Sequence, residues 1–168
     1  MRETASGVET RALLTHGWGT RPPPFEVQWC FTFTRMGAAM VKDGEIITVR
    51  PSVPIDTLQK LPNYVGISRD TAGAQGISMN VVIIPAGAKA KPHYHEGFET
   101  AIYILKGEVQ TFYGEGLAKS CINKQGDFLY IPAGLPHQPV NLSADTDAIA
   151  LVSRTDASEQ ESVRAYEP

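Results

Sequence analysis

The sequence holds four histidines, and three of them, His93, His95 and His137, fall between residues 87 and 141 with Glu99 close to the first pair. His93, His95 and Glu99 share one parity, so on extended chain they project from one face. Imidazole nitrogens with a carboxylate oxygen suit one divalent transition metal: Fe, Mn, Ni, Cu or Zn. The set is too rich in nitrogen for Ca or Mg, and no thiolate pair lies nearby. His137 must arrive from a strand far along the chain, and Pro132-Ala133-Gly134 supplies a turn able to deliver it. No Ser-His-Asp or Cys-His order suggests a covalent nucleophile, and no glycine-rich phosphate loop is present. The fourth histidine, His16, stands apart from this group.

Such a site needs strands to position it, and from Met40 onward the pattern is β throughout. Glu45–Val49, Tyr64–Ser68 and Ile77–Ile84 are rich in β-branched residues and separated by Pro, Asn and Gly. After the histidine strand come Thr100–Leu105, Glu108–Tyr113, Leu117–Ile122, Phe128–Ile131, His137–Leu142 and Ala148–Ser153, with turns at Lys106-Gly107, Gly114-Glu115-Gly116 and Lys124-Gln125-Gly126. Asp56–Leu61 is expected to form one helical turn capped by Asp56. Short strands punctuated this often read as a sandwich or small barrel.

The two histidine segments resemble the paired motifs of the cupin superfamily. Gly87, His93, His95, Glu99 and Gly107 fill the first motif, although seven residues separate Glu99 from Gly107 where the family has six. Gly126, Pro132, Gly134, His137 and Asn141 fill the second with no departure. The resemblance runs from Val81 to Ser153 and implies an all-β jelly-roll, or double-stranded β-helix, barrel. It implies His93, His95, Glu99 and His137 as metal ligands. Counted back from Gly107, however, the family glutamate falls on Thr100, and a one-residue bulge before Thr100 is needed to make Glu99 the ligand.

With Fe(II), such a site would serve a dioxygenase, the histidines holding the metal and Glu99 ligating or shuttling a proton. With Mn, Ni or Zn it would serve an O₂-independent isomerase or lyase acting on sugars or keto acids. A non-enzymatic small-ligand receptor is the third reading. Ala101, Tyr103 and Leu105 should share a face with Glu99, which makes the Tyr103 hydroxyl a candidate donor beside the metal. Of the other possible pocket residues, Tyr94, Phe98, Phe128, Tyr130 and Gln138, the aromatic ones read mainly as core packing. Gly107, Gly126 and Gly134 read as turn residues, and Asn141 as a partner of local backbone. The resemblance also implies a homodimer.

At 168 residues, 42% hydrophobic and 20% charged, the chain can build a core without a disulfide or structural metal. A net charge of −3 with no Lys/Arg cluster excludes nucleic acid and anionic membrane as expected partners. The expected partner is a small-molecule substrate or ligand. Cys30 and Cys121 read as two reduced thiols, and the absence of a long apolar run or signal-like start points to a cytoplasmic protein. Residues 1–39 read either as an arm, with Val27–Thr34 as a strand, or as a leader or upstream misread start ahead of a domain beginning at Met36 or Met40. Residues 40–153 are expected to form the barrel, and 154–168 a polar tail that lies over the surface or frays.

Overall fold

The computed structural model describes residues 44–158 and 162–168. The readings placed on 1–39 lie outside the described residues, as does Cys30; Cys121 is a free, exposed thiol. Ten strands are described: β1 (Asn63–Ile67), β2 (Ser78–Ile84), β3 (His93–His95), β4 (Thr100–Lys106), β5 (Glu108–Tyr113), β6 (Lys119–Lys124), β7 (Phe128–Ile131), β8 (His137–Asn141), β9 (Ala148–Arg154) and β10 (Val163–Ala165). They form two five-stranded antiparallel sheets, in the orders β1-β2-β9-β4-β7 and β10-β3-β8-β5-β6. This is the all-β jelly roll that the motif resemblance implied, built from short strands of the kind the pattern predicted.

Alternation along the strands decides what faces inward. On β9 every second residue from Ala148 to Arg154 is buried, and the register carries that row across the sheet. Ala150 pairs with Val82 and Ile104, Val152 with Asn80 and Ile102, and Arg154 with Ser78 and Thr100. The barrel interior is therefore graded. Ile84, Ile104, Val109, Ala148 and Ala150 make an apolar core toward one end, and polar side chains occupy the rows toward the other. Dispersion and apolar burial hold the first end together, which leaves the second available for chemistry.

Two residues hold turns that the strands require. Gly107, between β4 and β5, has φ of 85°, and a Cβ there would stand 3.0 Å from Ala148. No other residue adopts that conformation cheaply in that space. Asn141 is buried at the end of β8, where its Nδ2 donates to the carbonyls of Ile84 (2.9 Å), Pro85 (3.2 Å) and Thr146 (2.8 Å), and its Oδ1 accepts from the Ser143 amide at 3.0 Å. This is the local backbone role expected of it. Asn141→Ala should lower the free energy of unfolding by about 3 kcal/mol in a urea titration, because buried carbonyls lose their donor.

The structure departs from expectation in several places. Residues 45–49 form no strand: they have no ladder partner among the described residues, and Ile46 is fully exposed. Residues 56–61 form a turn, not a helix. The Lys60 amide donates to the Thr57 carbonyl at 3.0 Å with Lys60 in the left-handed region, and no helix follows Asp56 for it to cap. The one short α-helix among the described residues, α1 (Arg69–Ala72), follows Ser68, whose side chain and that of Thr71 form a reciprocal capping box. The tail also does more than lie on the surface. Arg154 completes β9, and Val163–Ala165 pairs with β3 residue for residue.

Candidate metal centre

β3 is only three residues long. His93 and His95 both point inward from it, and half-buried Tyr94 points the other way. His137 opens β8 and pairs directly with His93 across the ladder. Cross-strand neighbours of this kind bring side chains into contact. The ring centres of His93 and His137 are 4.3 Å apart, those of His95 and His137 4.8 Å, and those of His93 and His95 5.3 Å. One donor atom from each histidine lies within 4.8 Å of the other two. The turn before β8 is tied to β3, since the Gly134 amide donates to the His95 carbonyl at 2.8 Å. Gln138 continues the clamp by donating to the Ala90 carbonyl at 2.8 Å.

Each imidazole is oriented through Nδ1. Those of His93 and His137 donate to the Lys91 and Leu135 carbonyls at 2.8 and 2.9 Å. That of His95 is hydrogen-bonded to the Thr100 hydroxyl, which is completely buried. With Nδ1 donating to a carbonyl in His93 and His137, Nε2 carries the lone pair in both; at His95 the Thr100 hydroxyl is able to accept from Nδ1 and leave Nε2 the same role. The Nε2 of His95 is buried with no hydrogen-bond partner, which is costly for a polar atom unless something else binds it. Phe98 stacks on the His95 ring at 4.9 Å and fixes its plane. Burial lowers the pKa of His95 to about 2, helped by the Arg154 charge and the other two rings. It lowers that of His93 to about 3, with His137 adding to the effect, and that of His137 to about 4. All three rings are thus neutral at ordinary pH, the form that binds a metal. The donor set fits a divalent transition metal.

Glu99 is not brought into this group. There is no bulge before Thr100; the irregularity in the β4–β9 ladder lies between Ile104 and Lys106. Thr100 therefore takes the inward position, and the exposed Glu99 carboxylate accepts a hydrogen bond from the Tyr130 hydroxyl at 2.6 Å. Tyr103 shares the outer face with Glu99, as parity required, but that face is turned away from the histidines. Its ring packs on Phe128 at 4.6 Å, so it is no donor beside a metal. Glu99→Ala should leave bound metal unchanged by elemental analysis, since an outward carboxylate contributes nothing to coordination.

The histidines line an inner cavity of about 70 Å³, whose wall also includes Gln59, Asn63, Thr100, Thr111, Ile131 and Arg154. A second, outer compartment of about 300 Å³ shares Thr111, Ile131 and His137 with it and adds Tyr113, Cys121, Phe128, Tyr130 and Leu135. Arg154, Gln59 and Asn63 were not singled out from the sequence. Extending the Ala148–Ser153 alternation by one residue places Arg154 inward, but Gln59 and Asn63 carry no such signal.

The paired sheets and inward histidines define a double-stranded β-helix barrel with a candidate metal centre. A family model described as a cupin domain matches residues 80–153, the segment that carries all three histidines. Among solved structures it is similar to Bacillus subtilis oxalate decarboxylase, studied for its Mn(II) centres, with 19% identity, a TM-score of 0.58, and coverage of 68% of this chain and 30% of that one. The Lactobacillus farciminis oxalate decarboxylase–formate complex gives 23% identity, a TM-score of 0.57, and coverage of 67% and 32%. A conserved protein with a double-stranded β-helix domain from Klebsiella pneumoniae subsp. pneumoniae gives 18%, 0.53, and coverage of 72% and 92%. The chain thus spans about a third of the length of the oxalate decarboxylases, and at these identities the likeness shows the fold. No curated protein matches the sequence. No helix among the described residues is long and apolar enough to cross a membrane.

Proposed function

We propose that this protein is a member of the cupin superfamily and a metal-dependent oxidoreductase of dioxygenase type, with His93, His95 and His137 holding an Fe(II) ion. The observation that carries the reading is the composition of the inner cavity. Among its described lining residues there is no Asp, no Glu and no histidine beyond the three ring donors. An isomerase or lyase that moves protons needs a general acid or base whose pKa lies near the working pH. Thr57, Thr100, Thr111, Gln59, Asn63 and Arg154 offer none, because hydroxyls and amides do not titrate there and a guanidinium stays charged. Bound iron supplies electron transfer between a coordinated organic substrate and O₂, chemistry that needs no such group. In this reading the side chains orient the rings through Lys91, Thr100 and Leu135, exclude water and hold the substrate.

The outer compartment, walled by Tyr113, Phe128 and Leu135 and sharing His137 with the inner one, supports an approach for substrate between β6 and β7. Exposed Ile122 and Phe128 on those strands support a homodimer. The test is turnover by Fe(II)-loaded protein against diketones, catechols and uronates, with and without O₂. Iron-dependent O₂ uptake is expected. Turnover without O₂ would select the isomerase or lyase, and binding without turnover a receptor.

A further inference from the structure

Residues 57, 59, 61 and 63 are buried on the way into β1, while those between them are exposed or half-buried. That alternation sends Gln59 and Asn63 to the wall of the inner cavity, beside the three rings. The backbone fixes both. Lys60 carries a φ of 61°, uncommon for a residue with a side chain, and its amide closes the turn on the Thr57 carbonyl at 3.0 Å. The Gln59 carbonyl accepts the Lys91 amide at 3.0 Å, and the Lys91 carbonyl in turn accepts Nδ1 of His93. One residue thus joins the Gln59 backbone to a metal-binding ring.

Their side chains, by contrast, are unpartnered. On the same wall Thr57 donates to the Leu61 carbonyl at 3.2 Å, and Thr100 holds His95. Neither carboxamide makes a side-chain hydrogen bond among the described residues, and the Oδ1 of Asn63 is buried without a partner. A buried amide left unpaired lowers stability, and an apolar side chain of the same shape would spare that cost. Two such groups on one cavity with three imidazoles are explained by what enters it. A carboxamide offers donors and an acceptor without charge, so its complement is an uncharged N–H or O–H beside an oxygen. Three histidines leave positions on a divalent ion open to oxygen. At about 70 Å³ the cavity is far below the roughly 300–1,000 Å³ of sites for drug-sized ligands, so it admits a group of few heavy atoms.

We propose that Gln59 and Asn63 select the substrate, receiving a small chelating head in which two adjacent metal-binding oxygens stand next to an N–H or O–H donor, as in an α-hydroxyamide or a hydroxamate. This rests on the metalloenzyme reading above. The test uses Co(II)-loaded protein, titrated with acetohydroxamate and with N-methylacetohydroxamate while the visible spectrum of the metal is followed. Both probes chelate through two oxygens, and only the first keeps an N–H. The parent should bind acetohydroxamate at least about tenfold more tightly, because the methylated probe leaves a buried acceptor unpaired. Asn63→Leu and Gln59→Met, both close to the original volume, should retain Co(II) and lose affinity for acetohydroxamate alone, which removes the discrimination. In urea titrations of the metal-free protein both variants should have midpoints at or above that of the parent, since each deletes an unpaired polar group; a merely structural role would lower them. If the parent takes up no Co(II), the metal reading fails and this assignment with it. If it takes up Co(II) but binds the two probes alike, or if both variants still discriminate or lower the urea midpoint, the carboxamide assignment is overturned and the metal reading stands.

Discussion

Replacing His95 with alanine is expected to strip the purified protein of bound metal while the barrel still folds. His95 is the histidine whose Nε2 is buried with no hydrogen-bond partner, and its ring is held by Thr100 on one side and Phe98 on another. Removing it takes one of three donors from the site, and two imidazoles do not hold a divalent ion through purification. Folding survives because the apolar rows around Ile104, Val109 and Ala150 lie toward the other end of the barrel. The cavity left by the ring should cost roughly 1–3 kcal/mol, within reach of a domain's stability. Elemental analysis and circular dichroism check the two halves of this expectation. Unchanged metal content in a folded His95→Ala protein would remove the histidine cluster from consideration, whatever Glu99→Ala shows.

The metal-free protein is expected to lose stability steeply in mild acid. The unfolded chain takes up protons on His93, His95 and His137 as pH falls below their ordinary value of 6.5, whereas burial holds the folded rings down to about 3, 2 and 4. Between those limits the unfolded state binds more protons, so stability is fully present above 6.5 and declines as pH drops. Each whole step of pH below 6.5 removes about 1.4 kcal/mol per histidine, so the loss at pH 5 is about 2 kcal/mol for each ring. Three such losses rival the roughly 5–15 kcal/mol that holds a domain folded. Urea midpoints of the metal-free protein should therefore fall sharply between pH 7.5 and 5. Saturating metal should raise the midpoint at pH 7.5, since it binds the folded neutral rings. A flat profile for the metal-free chain over that range would mean that the rings are solvated.

Much of this architecture can be read from the chain before folding. Strand spacing, glycine turns and the two motif frames lead to the jelly roll and to the meeting of residue 137 with residues 93 and 95. Glu99 and Tyr103 mark the limit of that reading. Parity correctly groups them on one face, but parity alone cannot say which face is inner. One residue of register moved the inward position to Thr100, and the ladder absorbed the extra residue later, between Ile104 and Lys106. Arg154 was hidden by a boundary drawn one residue short. The strand at Val163–Ala165 was hidden by its polar setting, since its partner is decided by a distant edge and not by local periodicity.

That last strand bears on how the centre is assembled. β3 meets β8 at only one residue pair, and most of its backbone ladder comes from β10. Arg164 to Glu96 at 2.8 Å and the Tyr166 amide to the Pro92 carbonyl at 3.0 Å extend the same attachment. During synthesis the two leading imidazoles emerge long before the segment that braces them. The pocket therefore gains its final shape only after translation has passed residue 165, and an ion captured by the nascent chain would meet a floppy pair of ligands, not a built receptacle.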